Sequence, residues 1–231
     1  MQTLKARLKS YKEKYTDNRE QKRYEKLFEE KSQKLFSMDS QKKIIILSSD
    51  CVGGRLMKDY RLPCFTPTVN IRFDGEDFLR LCQNPEYYFG MSEIQQSFDK
   101  NYAHPVGRCG DIYLYFGHED DFESGARKWK RGCKLFRKAL QGQYEICVIM
   151  NDRNEFRQEM VEKFEKLPYK YKVLFTHRPY IDAPHTFYMK GEDKKPYVDT
   201  MTDYENSVSL HRRYDRFDFY QWFYEIYQEE A

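Results

Sequence analysis

Lys43-Ile44-Ile45-Ile46-Leu47-Ser48-Ser49-Asp50-Cys51-Val52-Gly53-Gly54 is the stretch on which the fold turns. Residues 43–49 are a short apolar run rich in β-branched side chains and bounded by polar residues. That pattern suits a strand buried on both faces, as in a parallel sheet. A polar loop with two glycines follows, and residues 55–60 read as a helix. Strand, glycine loop and helix in that order open an α/β domain. Working outward, residues 111–117 (DIYLYFG), 145–150 (EICVIM) and 171–176 (YKVLFT) are further strands. Residues 68–73 read as one more. Residues 75–83, 123–140 and 155–166 have helical composition, residues 92–99 a shorter helical stretch, and residues 106–110 a glycine-punctuated turn. The alternation predicts a three-layer α/β/α sandwich with a largely parallel or mixed sheet. Residues 178–202 read as an extended loop, and residues 215–229 as an aromatic amphipathic helix.

Before the first strand lies a charged extension. Leu4, Leu8, Tyr11 and Tyr15 are spaced by four, three and four, and Tyr24, Leu27, Phe28 and Leu35 resume the stripe. A long amphipathic helix over residues 3–36 is expected, so residues 1–40 form a helical extension and residues 41–231 a single α/β domain. Between positions 5 and 14 this helix is strongly basic. It suits docking on the body or a partner, or peripheral contact with an anionic membrane surface.

Composition removes several classes. The 231 residues carry a net charge of +3, which is too balanced for a nucleic-acid binder. Cysteines 51, 64, 82, 109, 133 and 147 include no C-x-x-C pair, so zinc is not expected. A chain this long buries a core without disulfide staples, and reduced thiols in the cytoplasm are expected. No apolar run approaches the roughly 18 residues of a membrane span. The aromatic content of 17% suits a wet cleft as well as a core.

In open α/β sheets ligands bind beyond the carboxyl ends of the strands. The predicted strand ends carry Asp50 and Cys51, His118 and Glu119, Asn151 and Asp152, and Thr176 and His177. Asp152 and His177 are candidates for a general base toward an acceptor hydroxyl, with Asp50 beside them. Gly53 and Gly54 before a helix either seat a phosphate on backbone N–H groups or make a tight turn. Cys51 is either a nucleophile or a buried structural thiol. His118-Glu119-Asp120-Asp121 either holds a divalent cation bridging a nucleotide diphosphate or is an acidic surface turn. Arg108 is a candidate phosphate clamp, as are Arg127, Lys130 and Arg131 unless they form a solvated basic face. No cofactor is required by the pattern, and the divalent cation is its one optional addition.

Ser49-Asp50-Cys51-Val52-Gly53-Gly54 and Leu62-Pro63-Cys64-Phe65-Thr66-Pro67-Thr68-Val69 resemble the opening of a bacterial family, domain-of-unknown-function family 1919. So do residues 102–111, the segment with Ala126, Trp129 and Arg131, and residues 164–176. Asp50 and Val52 stand where the resemblance leads one to expect Asn and an aromatic residue. Members of that family often carry the label "exopolysaccharide biosynthesis protein". The resemblance therefore implies an α/β fold and a place in capsule or exopolysaccharide assembly. It implies no established catalytic residues. The expectation is a glycosyltransferase-like transferase using a nucleotide sugar and a glycan acceptor. The alternatives are an acyl- or phosphotransferase acting on a glycan, and a non-catalytic partner of polysaccharide-assembly proteins at the inner face of the membrane.

Overall fold

The isoleucine run forms β1 (Lys43–Ser48), which pairs in parallel with β5 (Tyr144–Asn151) from Lys43 opposite Tyr144 to Ser48 opposite Ile149. β5 pairs in parallel with β6 (Tyr171–Thr176), and β6 with the short β7 (Thr186–Tyr188). The sheet order is β1-β5-β6-β7. The computed structural model describes Lys26, Glu29, Glu30, Gln33 and residues 43–62, 65–141, 144–206 and 211–228. Those first four residues are helical, and the rest of the helix expected over residues 3–36 lies outside the described residues.

Alternation along the strands sends side chains to two cores. Ile44, Ile46, Cys147, Ile149, Val173 and Phe175 pack with Val52 and Leu56 of α1 (Val52–Asp59) and with Phe219, Phe223 and Ile226 of α6 (Phe219–Gln228). Ile45, Leu47, Val148, Met150 and Leu174 pack on the other face. There they meet α2 (Gly75–Gln83), α4 (Phe122–Ala139) and α5 (Glu159–Glu165), while the short α3 (Pro85–Gly90) adds Tyr88 and Phe89. Helices thus cover both faces of a parallel sheet, and the protein is α/β.

The expectation of one sheet for all the strands is corrected. Residues 111–117 do not join β1, β5 and β6. They supply β4 (Ile112–Tyr115), which pairs antiparallel with β3 (Val106–Cys109), and β3 pairs with β2 (Gln95–Ser97). Gly110, at φ +60°, closes the β3–β4 hairpin, a backbone that glycine adopts without steric cost. So residues 106–110 are a strand and its turn, and residues 92–99 hold a strand in place of a helix. Residues 68–73 form no strand, and only Arg72 bridges to Tyr115. The segment from Phe65 to Phe73 instead lies along the open edge of β1 and the residue after it. Ile46 N donates to Phe65 O at 3.0 Å, and Phe73 N to Ser49 O at 3.0 Å.

α4 fits against this connecting segment through a glycine. A Cβ built on Gly132 would lie 2.4 Å from the Pro67 carbonyl oxygen, which is backbone and has little room to yield. Alanine would favour the helix by about 1 kcal/mol, whereas overpacking of this kind costs about 1–3 kcal/mol or more. Gly132→Ala is therefore expected to lower unfolding stability by about 1–2 kcal/mol in denaturant titration, the clash outweighing the helix gain. Gly90→Ala, with nothing within 4 Å of its Cβ, is the neutral control.

Candidate functional site

The carboxyl ends of β1, β5 and β6 lie side by side, and adjacent strands are ~4.8 Å apart. Asp50 follows β1. Its Oδ1 accepts from Val52 N at 2.9 Å and its Oδ2 from Asn151 Nδ2 at 2.7 Å. The first bond begins α1, and the second ties β1 to β5. Burial pushes the Asp50 carboxyl above its ordinary value, against those two bonds and the charge of Arg153. Asn151 is buried, and its Oδ1 also accepts from Arg153 N at 3.3 Å.

The next residue of β5's end starts the second tie. Asp152 Oδ2 accepts from His177 N at 2.6 Å and lies 2.5 Å from His177 Nδ1, while its Oδ1 accepts from Val198 N at 2.8 Å. An ionised carboxylate only accepts, so the proton between them sits on Nδ1. In the neutral ring Nε2 is then the lone-pair nitrogen, and no described residue bonds it. The Asp152 side chain is fully covered, and that of His177 is 11% exposed. This is a carboxylate-oriented imidazole at the carboxyl edge of a parallel sheet, an arrangement that can serve a general base and its positioning residue.

Cys51 and His118 form the third element. His118 leaves β4 of the second sheet, yet its Nε2 lies 3.2 Å from Cys51 Sγ. Cys51 is half-buried and is the N-cap of α1, without a side-chain cap bond. Desolvation, and then the charge of Asp50, push the thiol up to about 11. The helix terminus therefore does not produce a thiolate here.

The other sequence candidates are placed as follows. Gly53 N donates to Ser48 Oγ at 3.2 Å, so the N–H groups of Val52 and Gly53 already have partners. A Cβ on Gly53 would come within 2.9 Å of Ile46 Cγ2, and one on Gly54 within 2.9 Å of Val69 Cγ2. Both glycines let α1 approach its neighbours closely. Arg108 is exposed on β3 and donates to Gly110 O at 3.0 Å, so it is not gathered with the strand-edge residues. Glu119 pairs with Lys128, and Asp121 caps α4 by accepting from Ser124 N at 2.7 Å. No group of three His, Cys, Asp or Glu side chains among the described residues is placed to share an ion. The divalent cation thus has no such set to rest on, and no step below passes through one. Lys130 pairs with Glu93 and Arg127 donates to Ser124 Oγ, both on the exposed side of α4.

Sequence reasoning missed Arg153. It sends Nη1 to Val198 O at 2.8 Å, lies over the Tyr197 ring at 4.9 Å and biases Asp50. Its signal was its position directly after Asn151 and Asp152. Arg72, over the rings of Tyr102 and Tyr115 at 4.9 and 4.3 Å, was missed as well, and nothing local in the sequence marks it.

The fold and this edge define an α/β protein with a carboxylate–imidazole pair at the carboxyl end of its parallel sheet. The chain belongs to the family described as Domain of unknown function (DUF1919), which matches residues 20–224. A protein of Haemophilus influenzae, described as an uncharacterized protein, is 30% identical over 178 residues, which is 77% of this chain and 82% of that protein. No helix among the described residues is long and apolar enough to cross a membrane.

The raised thiol makes a rate prediction. A shift from the ordinary ~8.5 to about 11 leaves the thiolate at pH 8 scarcer by roughly 100-fold or more. Iodoacetamide should therefore label the Cys51 peptide at least about 100-fold more slowly in the folded protein than in denaturant. The folded rate should rise about tenfold per pH unit toward pH 11. Fast, pH-independent labelling below pH 8 would instead signify a thiolate paired with protonated His118.

Proposed function

We propose that this protein is a transferase of bacterial cell-surface polysaccharide synthesis, moving a sugar from a nucleotide-activated donor to a hydroxyl of a glycan. The observation that carries this reading is the Asp152–His177 pair, with His177 Nδ1 2.5 Å from the buried carboxylate and Nε2 left for a substrate. An acceptor hydroxyl at Nε2 loses its proton to the imidazole as its oxygen attacks the anomeric carbon. Asp152 holds the ring and offsets the charge that the ring gains. The sugar–phosphate bond breaks, and its electrons leave on the diphosphate. Asp50 and Asn151, locked together at the neighbouring strand ends, offer polar edges for the sugar hydroxyls. The polysaccharide setting comes from the family resemblance. Work at the cytoplasmic face of the membrane, with the charged N-terminal segment as the point of attachment, is part of the same proposal.

Acyl transfer to a glycan is the second reading, favoured by the contact of Cys51 Sγ with His118 Nε2. The high thiol pKa weighs against it. The two readings separate in cells lacking the wild-type gene. His177→Ala is expected to reduce polymer synthesis roughly 10²–10⁴-fold at normal protein level, since a positioned base contributes that much. Asp152→Asn should act in the same direction by releasing the ring, and Cys51→Ala should leave polymer synthesis intact. Normal polymer from folded His177→Ala would sink the sugar-transfer reading. Loss in Cys51→Ala alone would establish the acyl reading in its place.

A further inference from the structure

Beside Cys51 and His118, along the outer side of α1, runs a groove of about 670 Å³. That is within the ~300–1,000 Å³ typical of small-molecule sites. Arg55, Lys58 and Arg212 line it, with Asn70 opposite. No Asp or Glu among the described residues is part of the lining. The two guanidiniums are held from behind by one carboxylate. Arg55 Nε and Arg212 Nε donate to the same Asp59 Oδ2, at 3.2 and 2.8 Å, and the Tyr214 hydroxyl donates there too. Arg212 is buried, and its guanidinium also lies over the Tyr204 ring at 4.5 Å. Lys58 is exposed and has no acidic partner among the described residues. Three cations thus line a concave site whose nearby carboxylates, Asp59 behind the guanidiniums, Asp50 behind Cys51 and Asp215 on the Arg212 backbone N–H, all lie outside the lining.

A groove lined by three cationic side chains and no carboxylate suits a diphosphate diester, which carries two negative charges at neutral pH. Guanidiniums fixed by a carboxylate meet phosphate oxygens with little ordering left to do. One end of the groove, at Cys51, adjoins the carboxyl edge of the sheet. That end follows Asp50, which bonds Asn151, and Asn151 precedes Asp152. Strand ends β1 and β6 are two strand spacings apart, ~10 Å. We propose that this groove is a diphosphate site, and that it takes the diphosphate of the activated sugar while His177 meets the acceptor. The first half stands on the charge and shape of the groove. The second rests on the transfer reading. Side chains of α1 and Arg212, rather than the N–H groups at the start of α1, supply the positive field. Arg108 does not contribute.

Titration calorimetry on the full chain tests it, with inorganic pyrophosphate, inorganic phosphate and a nucleoside diphosphate sugar as separate probes. Pyrophosphate should bind more tightly than phosphate, and its affinity should fall with added salt. Lys58→Glu should weaken pyrophosphate at least tenfold without changing the melting temperature, because Lys58 is exposed and has no acidic partner among the described residues. Arg55→Gln should act likewise, and Lys130→Glu on α4 should change nothing. Absence of pyrophosphate binding by the wild type, or equal weakening by Lys58→Glu and Lys130→Glu, would overturn the site. The sugar probe should bind with the same dependence on Lys58. Its binding unchanged in Lys58→Glu would overturn the assignment to the donor. If pyrophosphate binding depends on Lys58 while His177→Ala makes normal polymer, the transfer reading falls and the diphosphate site stands. If pyrophosphate fails to bind while His177→Ala abolishes polymer, the reverse holds.

Discussion

A buried carboxylate organises the carboxyl edge of the parallel sheet. Asp152 lies where β5 ends and accepts from three N–H groups, two of them on His177 and one at Val198. Taking an ionised carboxylate out of water is costly unless every acceptor position finds a donor. Here the donors come from the end of β6 and from the long segment that follows β7. That single requirement fixes three pieces of chain around one side chain. It also fixes the imidazole, because the same oxygen takes the His177 backbone N–H and its ring Nδ1. Removal of one partner would leave a buried charge or donor unsatisfied, at about 1–3 kcal/mol. The consequence is an imidazole whose orientation is set by the same bonds that hold the sheet edge.

The neighbouring carboxylate, Asp50, does a parallel job with a different outcome. It ties β1 to β5 through Asn151 and starts α1 through Val52. Because it occupies the first N–H of the helix, and Ser48 the next, the helix terminus is not free to depress the Cys51 thiol or to cradle a phosphate. Asp50 itself adds to the rise of that thiol. Positive charge for an anionic ligand must then come from side chains, and α1 presents Arg55 and Lys58 on its outer side.

Much of this was legible in the sequence, and the boundary has a physical reason. Buried parallel strands announce themselves as continuous apolar runs, so β1, β5 and β6 were readable from residues 43–49, 145–150 and 171–176. Residues 111–117 carry the same local signal, yet pair with β3. Which strand a β-branched run joins depends on partners distant in the chain, and the deciding feature was the turn at Gly110. Residues 92–99 misled because three residues of strand leave no period to read. At the site, Asp50, Asn151, Asp152 and His177 were readable because strand ends of a parallel sheet gather on one edge. That Asp152 and His177 bond each other was not, since twenty-five positions separate them. Arg108 was read in a glycine turn leading into a strand of the parallel sheet, and it lies instead on β3 of the antiparallel sheet. Arg212 comes from a region without periodicity, so only tertiary contact with Asp59 reveals it.

The proposed role of His177 depends most on the state of its imidazole. Long-range ¹H–¹⁵N spectra of ¹⁵N-histidine-labelled protein, with His177 assigned by substitution, report which ring nitrogen carries the proton. At neutral pH the account requires the proton on Nδ1, bonded to Asp152, and an unprotonated Nε2 able to accept from a hydroxyl. A proton on Nε2, or a His177 ring averaging between both forms as a free imidazole does, would contradict it.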